Sequence, residues 1–114
     1  MTYNNVEVQE KDGSVAVLIS KGYGAGWSTW GCKVLAYDKK VIELFDKYPP
    51  MQSHDMLEII QNKLAEIGYP HVYMGGYNQL EKQWIPKGVS FRIREYDGSE
   101  SIEILGQIDF ICFN

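Results

Sequence analysis

Residues 14–20 have the sequence Ser-Val-Ala-Val-Leu-Ile-Ser, in which five consecutive side chains are apolar. Successive side chains of a β-strand point to opposite faces of a sheet, so this run places apolar groups on both faces. A strand that is apolar on both faces belongs where both are covered. We therefore predict that residues 14–20 form a central strand of a sheet.

A turn signal precedes this strand. Val6 and Val8 alternate with polar neighbours, and the tripeptide Lys11-Asp12-Gly13 follows them. Asp-Gly pairs readily adopt the positive φ angles that tight hairpin turns require. The alternation and the turn together predict a hairpin whose second strand is residues 14–20.

A second hairpin signal lies near the end of the printed sequence. Residues 91–96 place Phe91 and Ile93 on one face of a strand, and residues 101–105 place isoleucines at alternate positions. The pair Asp97-Gly98 separates the two runs and favours the same tight turn. These features predict an antiparallel hairpin in this part of the chain.

Two segments between the hairpins have the apolar spacing of helices. Residues 38–48 show this spacing, with Asp38 as a candidate N-cap and Pro49-Pro50 as a stop. A second helix is predicted to open at Ser53 and to end at Gly68. Isolated helices of this length are marginally stable in water, so each must pack its apolar stripe against the sheet.

These elements predict an α+β fold. A chain of 114 residues is long enough for one hydrophobic core, so we expect residues 1–114 to form a single domain. Residues 84–88 predict an edge strand followed by a turn, and residues 108–113 predict a last strand. The expected architecture is a mostly antiparallel sheet with two helices packed on it.

Composition excludes several classes of partner. The formal net charge of −4 has the wrong sign for a sequence-independent hold on the phosphate backbone of nucleic acids. No window approaches the eighteen or so uninterrupted apolar residues of a membrane span, and the first residues lack a secretory signal pattern. We therefore expect no bulk nucleic-acid partner and no membrane partner.

The cysteines favour a reducing compartment. Cys32 and Cys112 are too few for a disulfide framework and lack metal-type spacing, so we expect two buried free thiols. Together with the absence of a signal pattern, this usage predicts a cytoplasmic location.

The segment that follows the central strand is the part of the sequence richest in residue types that commonly contact ligands. Residues 21–31 combine four glycines with two tryptophans, a tyrosine and two hydroxyl side chains. Glycine allows a ligand to approach backbone N–H groups, and a tryptophan face can stack on a planar ring. The candidate ligand-binding residues here are Tyr23, Gly24, Gly26, Trp27, Ser28, Thr29 and Trp30. The competing interpretation is a tight bend whose aromatic side chains pack in the core.

Known glycine-rich phosphate motifs do not fit this segment. A tryptophan stands where the phosphate-binding lysine of a Walker loop belongs, and Trp27 replaces the third glycine of the dinucleotide-binding pattern. Any nucleotide would therefore be held in another way.

Two arginines add candidate anion ligands. Arg92 and Arg94 lie two residues apart on a predicted strand, so both project from the same face, and the guanidinium fork suits phosphate or carboxylate. Lys87, in a turn after Pro86, is a further candidate cation. The alternative is that the arginines form cross-strand ion pairs with Glu100 or Glu103 on a solvated face.

Catalytic signals are weak. Ser28, Cys32 and His71 carry the groups of a nucleophile and a base, but no nucleophile-elbow motif is present. His54 and His71 lack metal-ligand spacing. We therefore expect a protein that is not an enzyme and that needs no metal or other cofactor.

Two sequence blocks resemble a known group of proteins. Residues 15–30 (VAVLISKGYGAGWSTW) and residues 84–100 (WIPKGVSFRIREYDGSE) resemble small proteins encoded by bacteriophages and prophages. Residues 32–83 carry no such resemblance. Proteins of this kind are often similar to counter-defence factors, and one class of those sequesters nucleotide-derived immune signals without cleaving them. The resemblance thus implies capture of a cyclic dinucleotide or an ADP-ribose derivative in the cytoplasm of an infected or lysogenic host.

The first functional hypothesis joins these observations. A phage or prophage protein would sequester a nucleotide-like signal through residues 22–31, with Arg92, Arg94 or Lys87 holding phosphate, and a homo-oligomer would close over the ligand. The second hypothesis is a protein-binding inhibitor of a host defence enzyme, anchored by exposed aromatics such as Tyr23, Tyr77 and Trp84. A third is an enzyme that degrades the signal, which turnover by catalytic amounts of protein would reveal.

Overall fold

The computed structural model describes residues 2–104 and 111–112, and within them it has the α+β architecture that the sequence predicts. The two α-helices are α1 (Lys39–Lys47) and α2 (His54–Glu66). The strands are β1 (Thr2–Tyr3), β2 (Val6–Glu7), β3 (Glu10–Lys11), β4 (Ser14–Ser20), β5 (Leu80–Pro86), β6 (Ser90–Tyr96), β7 (Ser99–Ile104) and β8 (Ile111–Cys112). Short 3-10 helices lie at Ser28–Trp30, Lys33–Ala36 and Met74–Gln79.

The predicted central strand is confirmed. β4 lies between β3 and β5 in an antiparallel sheet, with Ser14 opposite Pro86 and Ser20 opposite Leu80. Residues 15–20 are all buried, as a strand covered on both faces requires. The turn from β3 to β4 has positive φ at Asp12 (52°) and Gly13 (80°), the combination that a type I′ hairpin uses.

The second predicted hairpin is also confirmed. β6 and β7 pair antiparallel from Phe91 opposite Ile104 to Tyr96 opposite Ser99. Asp97 (φ 51°) and Gly98 (φ 88°) form the turn between them. β8 pairs with β6 on its other edge, so part of the predicted last strand is present, while the rest of residues 108–113 lies outside the described residues.

Both helices begin where the capping residues predict. The side chain of Asp38 accepts a hydrogen bond from Lys40 N at the start of α1, and the side chain of Ser53 accepts one from Met56 N at the start of α2. Gly68, with φ of 112°, follows the end of α2 and takes a backbone conformation that other residues rarely adopt.

The two faces of β4 pack against different layers. Ala16 and Leu18 lie in one cluster with residues of both helices, among them Ile42 and Ile60. The alternate residues Val15, Val17 and Ile19 lie in a second cluster, which includes Phe91 of β6. Each fully buried aliphatic side chain of this kind contributes roughly 2 kcal/mol of transfer free energy. The helices thus cover one face of the central strand, and the hairpin of β6 and β7 covers the other.

Several local features differ from the sequence prediction. Positive φ angles at Asn4 and Asn5 form an additional short hairpin of β1 and β2, so the first strand of the predicted hairpin shortens to Glu10–Lys11. β5 begins at Leu80, four residues before the predicted edge strand, because its whole length pairs with β4. No helix among the described residues combines the length and the apolar character that crossing a bilayer requires.

Candidate functional site

The glycine-rich loop (residues 22–31) leaves the end of β4 and turns back over the hairpin of β6 and β7. Gly24 has a φ of 90°, and its backbone N–H donates to the carbonyl oxygen of Asp97 at 2.6 Å. The loop then enters the 3-10 helix Ser28–Trp30. The Asp97-Gly98 turn is therefore the part of the second hairpin that contacts the loop.

A buried carboxylate organises this loop. Glu100 of β7 is 1% exposed, and its oxygens accept hydrogen bonds from the backbone N–H groups of Ser20 (2.8 Å), Trp27 (2.9 Å) and Thr29 (3.1 Å). The hydroxyl of Thr29 donates to the same carboxylate. Hydrogen bonds to an ionised acceptor are roughly twice as strong as those between neutral groups, so Glu100 is a strong internal tether for the loop.

This arrangement corrects the predicted role of the loop backbone. The sequence predicts that the loop offers backbone N–H groups to a ligand, but those of Trp27 and Thr29 already donate to Glu100. The loop is therefore an anion-binding loop whose anion is supplied by the chain itself. It also corrects the alternative prediction for Glu100, which does not pair with the arginines but points to the opposite face of the hairpin.

The predicted stacking face of Trp27 is also not available. Trp27 is 2% exposed, its indole N–H donates to the carbonyl of Leu35 at 2.9 Å, and its ring meets Tyr77 edge-on at 6.0 Å. Ser28 is buried as well, at 6% exposed. The burial of these two residues agrees with the competing interpretation, in which the loop is a tight bend packed in the core.

We expect Trp27→Phe to lower the free energy of unfolding by about 2 kcal/mol. The substitution leaves the buried carbonyl of Leu35 without its donor and opens a small cavity beside Tyr77. Urea denaturation measures the change, and unaltered stability would contradict the core assignment. A substitution of Trp27 is accordingly expected to change the stability of the fold and is not a direct test of ligand binding.

Trp30, in contrast, is exposed. The residue is 45% exposed, and its indole stacks on Tyr73, which is 58% exposed, with ring centroids 5.9 Å apart and planes inclined at 28°. A Cβ at Gly26 would lie 2.8 Å from the Trp30 ring, and a Cβ at Gly75 would lie 2.6 Å from the Tyr73 ring. Glycine at these two positions therefore lets both rings lie directly against backbone.

The two arginines share one carboxylate. The guanidinium of Arg92 lies 2.9 Å from Glu103, and that of Arg94 lies 2.6 Å from its other oxygen. The hydrogen bond from Arg94, together with the charges of both arginines, lowers the pKa of Glu103 below its ordinary value. In this cross-strand pairing one carboxylate is shared by two guanidinium groups.

Lys87 lies apart from the other candidates. It follows β5, at the end of the sheet where β4 begins. Its ammonium group pairs with the carboxylate of Glu10, and its backbone N–H donates to the carbonyl oxygen of Gly13 at 2.9 Å. Strands rise about 3.4 Å per residue, so the length of β4 separates Lys87 from the loop by about 20 Å. Lys87 therefore does not join the loop in one site.

One pocket does bring together candidates from separate parts of the chain. It has a volume of about 300 Å³ and is lined by Tyr23, Arg94, Glu95, Tyr96, Ser99 and Ser101. Tyr23 comes from the loop, and Arg94 and Tyr96 come from one face of β6. We call it the tyrosine–arginine pocket.

The rings of this pocket are open to solvent. Tyr23 and Tyr96 are 74% and 77% exposed and meet edge to face with centroids 6.5 Å apart. Ser101 lies opposite Arg94 in the strand register, so its side chain shares the arginine's face. The pocket thus offers two aromatic rings and the guanidinium of Arg94, and the carboxylate of Glu95 also lines it.

Tyr23 and Arg94 are among the ligand-binding residues that the sequence predicts, whereas Tyr96, Ser99 and Ser101 are not. Tyr96 continues the alternation of Arg92 and Arg94 along β6, which is a signal that the sequence contains. The contact between Tyr23 and Tyr96 depends on the docking of the hairpin turn on the loop, for which the sequence has no local signal.

The remaining chemistry-bearing residues lie outside this pocket. Cys32 is a free thiol, and it is exposed where a buried one was predicted. The same prediction for the Cys112 thiol lies outside the described side chains. Cys32 and His71 line one apolar pocket of about 270 Å³ beside Tyr69. Among the described residues, no group of three or more His, Cys, Asp or Glu is placed to hold a metal ion.

Comparison with known proteins adds no assignment to this geometry. No protein family, curated protein or solved structure matches the chain. The resemblance of residues 15–30 and 84–100 to phage-encoded proteins therefore stays a prediction.

Proposed function

We propose that this protein is a non-catalytic binding protein that sequesters a small ligand with a planar ring and an anionic group in the tyrosine–arginine pocket. The convergence of Tyr23, Arg94 and Tyr96 on one pocket carries the proposal. Ligand sites typically combine aromatic walls with a few polar groups that fix orientation, and this pocket has both.

Arg94 is the anion ligand of the proposed site. Its side chain is 60% exposed although it pairs with Glu103, so part of the guanidinium faces solvent. Because Arg92 also contacts Glu103, the carboxylate keeps a cationic partner when Arg94 turns toward a ligand. A phosphate group can accept two parallel hydrogen bonds from the N–H donors of one guanidinium.

Tyr23 and Tyr96 supply the contact for a planar ring. Their rings are nearly perpendicular and largely exposed, and their hydroxyls can bind polar atoms of a base or ribose. A nucleotide combines such a ring with phosphate, so the ligand class is a nucleotide derivative.

The predicted resemblance to phage and prophage proteins supports a narrower class of ligand. We propose that the ligand is a cyclic dinucleotide or an ADP-ribose derivative that acts as a bacterial immune signal. The protein would capture it in the cytoplasm of the infected or lysogenic host and release it intact.

A second copy of the chain would complete the site. The pocket is shallow and its tyrosines are largely exposed, whereas sequestration needs a ligand that is covered on most sides. A two-fold arrangement would place the same pocket of each copy at one interface and close both. We therefore propose a homo-oligomer that forms or tightens on ligand binding.

We expect selected members of a panel of cyclic dinucleotides and ADP-ribose derivatives to raise the melting temperature of the protein. A ligand at one hundred times its dissociation constant adds about 2.7 kcal/mol to the folded state, which is several degrees for a domain of this size. The matching nucleosides without phosphate are expected to have little effect. Mass spectrometry of the ligand released by heating tests whether it is intact, and light scattering tests the oligomer.

Variants locate the site. Tyr23→Ala and Arg94→Gln are each expected to weaken binding at least tenfold by calorimetry, because they remove the ring contact or the charge-assisted hydrogen bond. Lys87→Gln, about 20 Å from the loop, is the matched control and keeps full affinity. Unchanged binding by Tyr23→Ala and Arg94→Gln, a panel without effect, or turnover of the ligand would overturn the proposal.

A further inference from the structure

A groove on the helical side of the molecule is separate from the tyrosine–arginine pocket. It has a volume of about 430 Å³ and lies between α2 and residues 73–75. Its lining residues are His54, Leu57, Glu58, Gln61, Tyr73, Met74 and Gly75. His54, Glu58 and Gln61 are spaced four and three residues apart, so they follow one side of the helix.

An exposed aromatic pair adjoins this groove. Tyr73 lines the groove, and Trp30 stacks on Tyr73. Exposed tryptophan and tyrosine are the residue types that dominate the binding energy of protein interfaces. This pair is therefore a candidate anchor for a partner, in place of Tyr77, which the sequence suggested.

Tyr77 cannot have that role. It is 2% exposed, its hydroxyl donates to the carbonyl of Tyr48, and burial raises its pKa to about 12. Trp84, another anchor suggested by the sequence, is 39% exposed but lies on β5 and is absent from the lining of the groove.

One carboxylate lines the groove and another contacts the aromatic pair. Glu58 lines the groove, and the carboxylate of Glu95, which also lines the tyrosine–arginine pocket, accepts a hydrogen bond from the indole N–H of Trp30 at 3.2 Å. The residues that line the groove include no lysine or arginine. Aromatic faces beside carboxylates favour a planar cation, which can stack on the rings and pair with the acids.

We propose that this groove docks an arginine-bearing segment of a partner protein. The guanidinium would lie over the Trp30–Tyr73 pair and pair with Glu58, while apolar neighbours of that arginine contact Leu57 and Met74. The net charge of −4 favours the approach of such a basic segment. The groove and the proposed ligand pocket have no lining residue in common, and Glu95 of the pocket contacts Trp30.

The test uses the ¹⁵N-labelled full chain and two short peptides that differ in charge alone. Acetyl-Ala-Arg-Ala-Leu-amide is titrated in parallel with the same peptide carrying citrulline, which has nearly the shape of arginine without its charge. We expect the arginine peptide to shift the indole N–H signal of Trp30 and the amide signals of Tyr73 and Gly75. The citrulline peptide is expected to bind at least fivefold more weakly.

Variants separate this groove from the ligand pocket. Tyr73→Ala and Glu58→Gln, both at exposed side chains, are expected to weaken the arginine peptide by at least threefold without affecting any nucleotide ligand. Tyr23→Ala is expected to leave the peptide unchanged. Equal binding of both peptides, shifts that map elsewhere, or peptide binding that survives Tyr73→Ala would overturn the proposal, whether or not the nucleotide proposal holds.

Discussion

A Glu100→Gln variant is expected to lose about 3 kcal/mol of folding free energy, a large share of the 5–15 kcal/mol of a typical domain. An amide has one accepting oxygen where the carboxylate has two. The oxygen can keep the donors of Trp27 and Thr29, but the NH₂ group then faces the backbone N–H of Ser20, which is 2.8 Å from the present acceptor.

The magnitude follows from opposing terms. A buried N–H group left without an acceptor costs about 1–3 kcal/mol, and each remaining bond loses the strength that the charge gave it. The neutral amide avoids the cost of taking a carboxylate out of water, which offsets part of the loss. The net effect corresponds to a fall of roughly 10 °C in melting temperature.

Glu103→Gln is the matched control because it makes the same chemical change on the same strand. Glu103 lies on the solvated face with Arg92 and Arg94, so its substitution is expected to alter stability little. Thermal and urea denaturation of both variants give the comparison. If Glu100→Gln is as mild as Glu103→Gln, the buried carboxylate does not hold the loop.

The different roles of these two glutamates show what the sequence could predict. Glu100 has the same parity as Ile102 and Ile104, so strand alternation alone places it on the apolar face of β7. A glutamate on an apolar face indicates a buried hydrogen-bonding partner, whereas the arginines across the hairpin favour an ion pair on the solvated face. The alternation is sufficient to predict that Glu100 is buried. It does not predict which groups bind the carboxylate, because they lie in a loop seventy or more residues away in the sequence.

The elements themselves were largely predictable because their signals are local. β4 follows from five consecutive apolar residues, and the start of each helix follows from the hydrogen bond of one capping side chain. The tyrosine–arginine pocket depends on tertiary docking instead. Tyr23 meets Tyr96 only because the turn of one hairpin rests on the glycine-rich loop, a contact between distant parts of the chain.

That docking contact predicts a second large effect. Gly98→Ala is expected to cost at least 4 kcal/mol, because the added Cβ would lie 2.3 Å from the backbone nitrogen of Ala25 and 2.9 Å from its Cα. Backbone atoms cannot move aside as a flexible side chain does, so the hairpin must withdraw from the loop. Withdrawal breaks the bond from Gly24 N to the Asp97 carbonyl and pulls on the loop contacts of Glu100.

The Gly13→Ala variant is a control that has the backbone strain of Gly98→Ala without its steric clash. Gly13 and Gly98 both follow an aspartate with positive φ in a tight turn, and their own φ angles are 80° and 88°. A Cβ at Gly13 would meet no atom within 4 Å, so its cost is only the 1–2 kcal/mol of a left-handed conformation. Urea denaturation of both variants therefore isolates the contact with Ala25.

The same pair of variants connects the fold to the site. Because Tyr96 directly precedes the Asp97-Gly98 turn, a hairpin displaced from the loop also separates Tyr96 from Tyr23. Gly98→Ala should thus lose ligand binding under conditions where it is still folded, whereas Gly13→Ala keeps it. Equal destabilisation of the two variants would mean that the turn does not rest on the loop, and the pocket built on that contact would then have no physical basis.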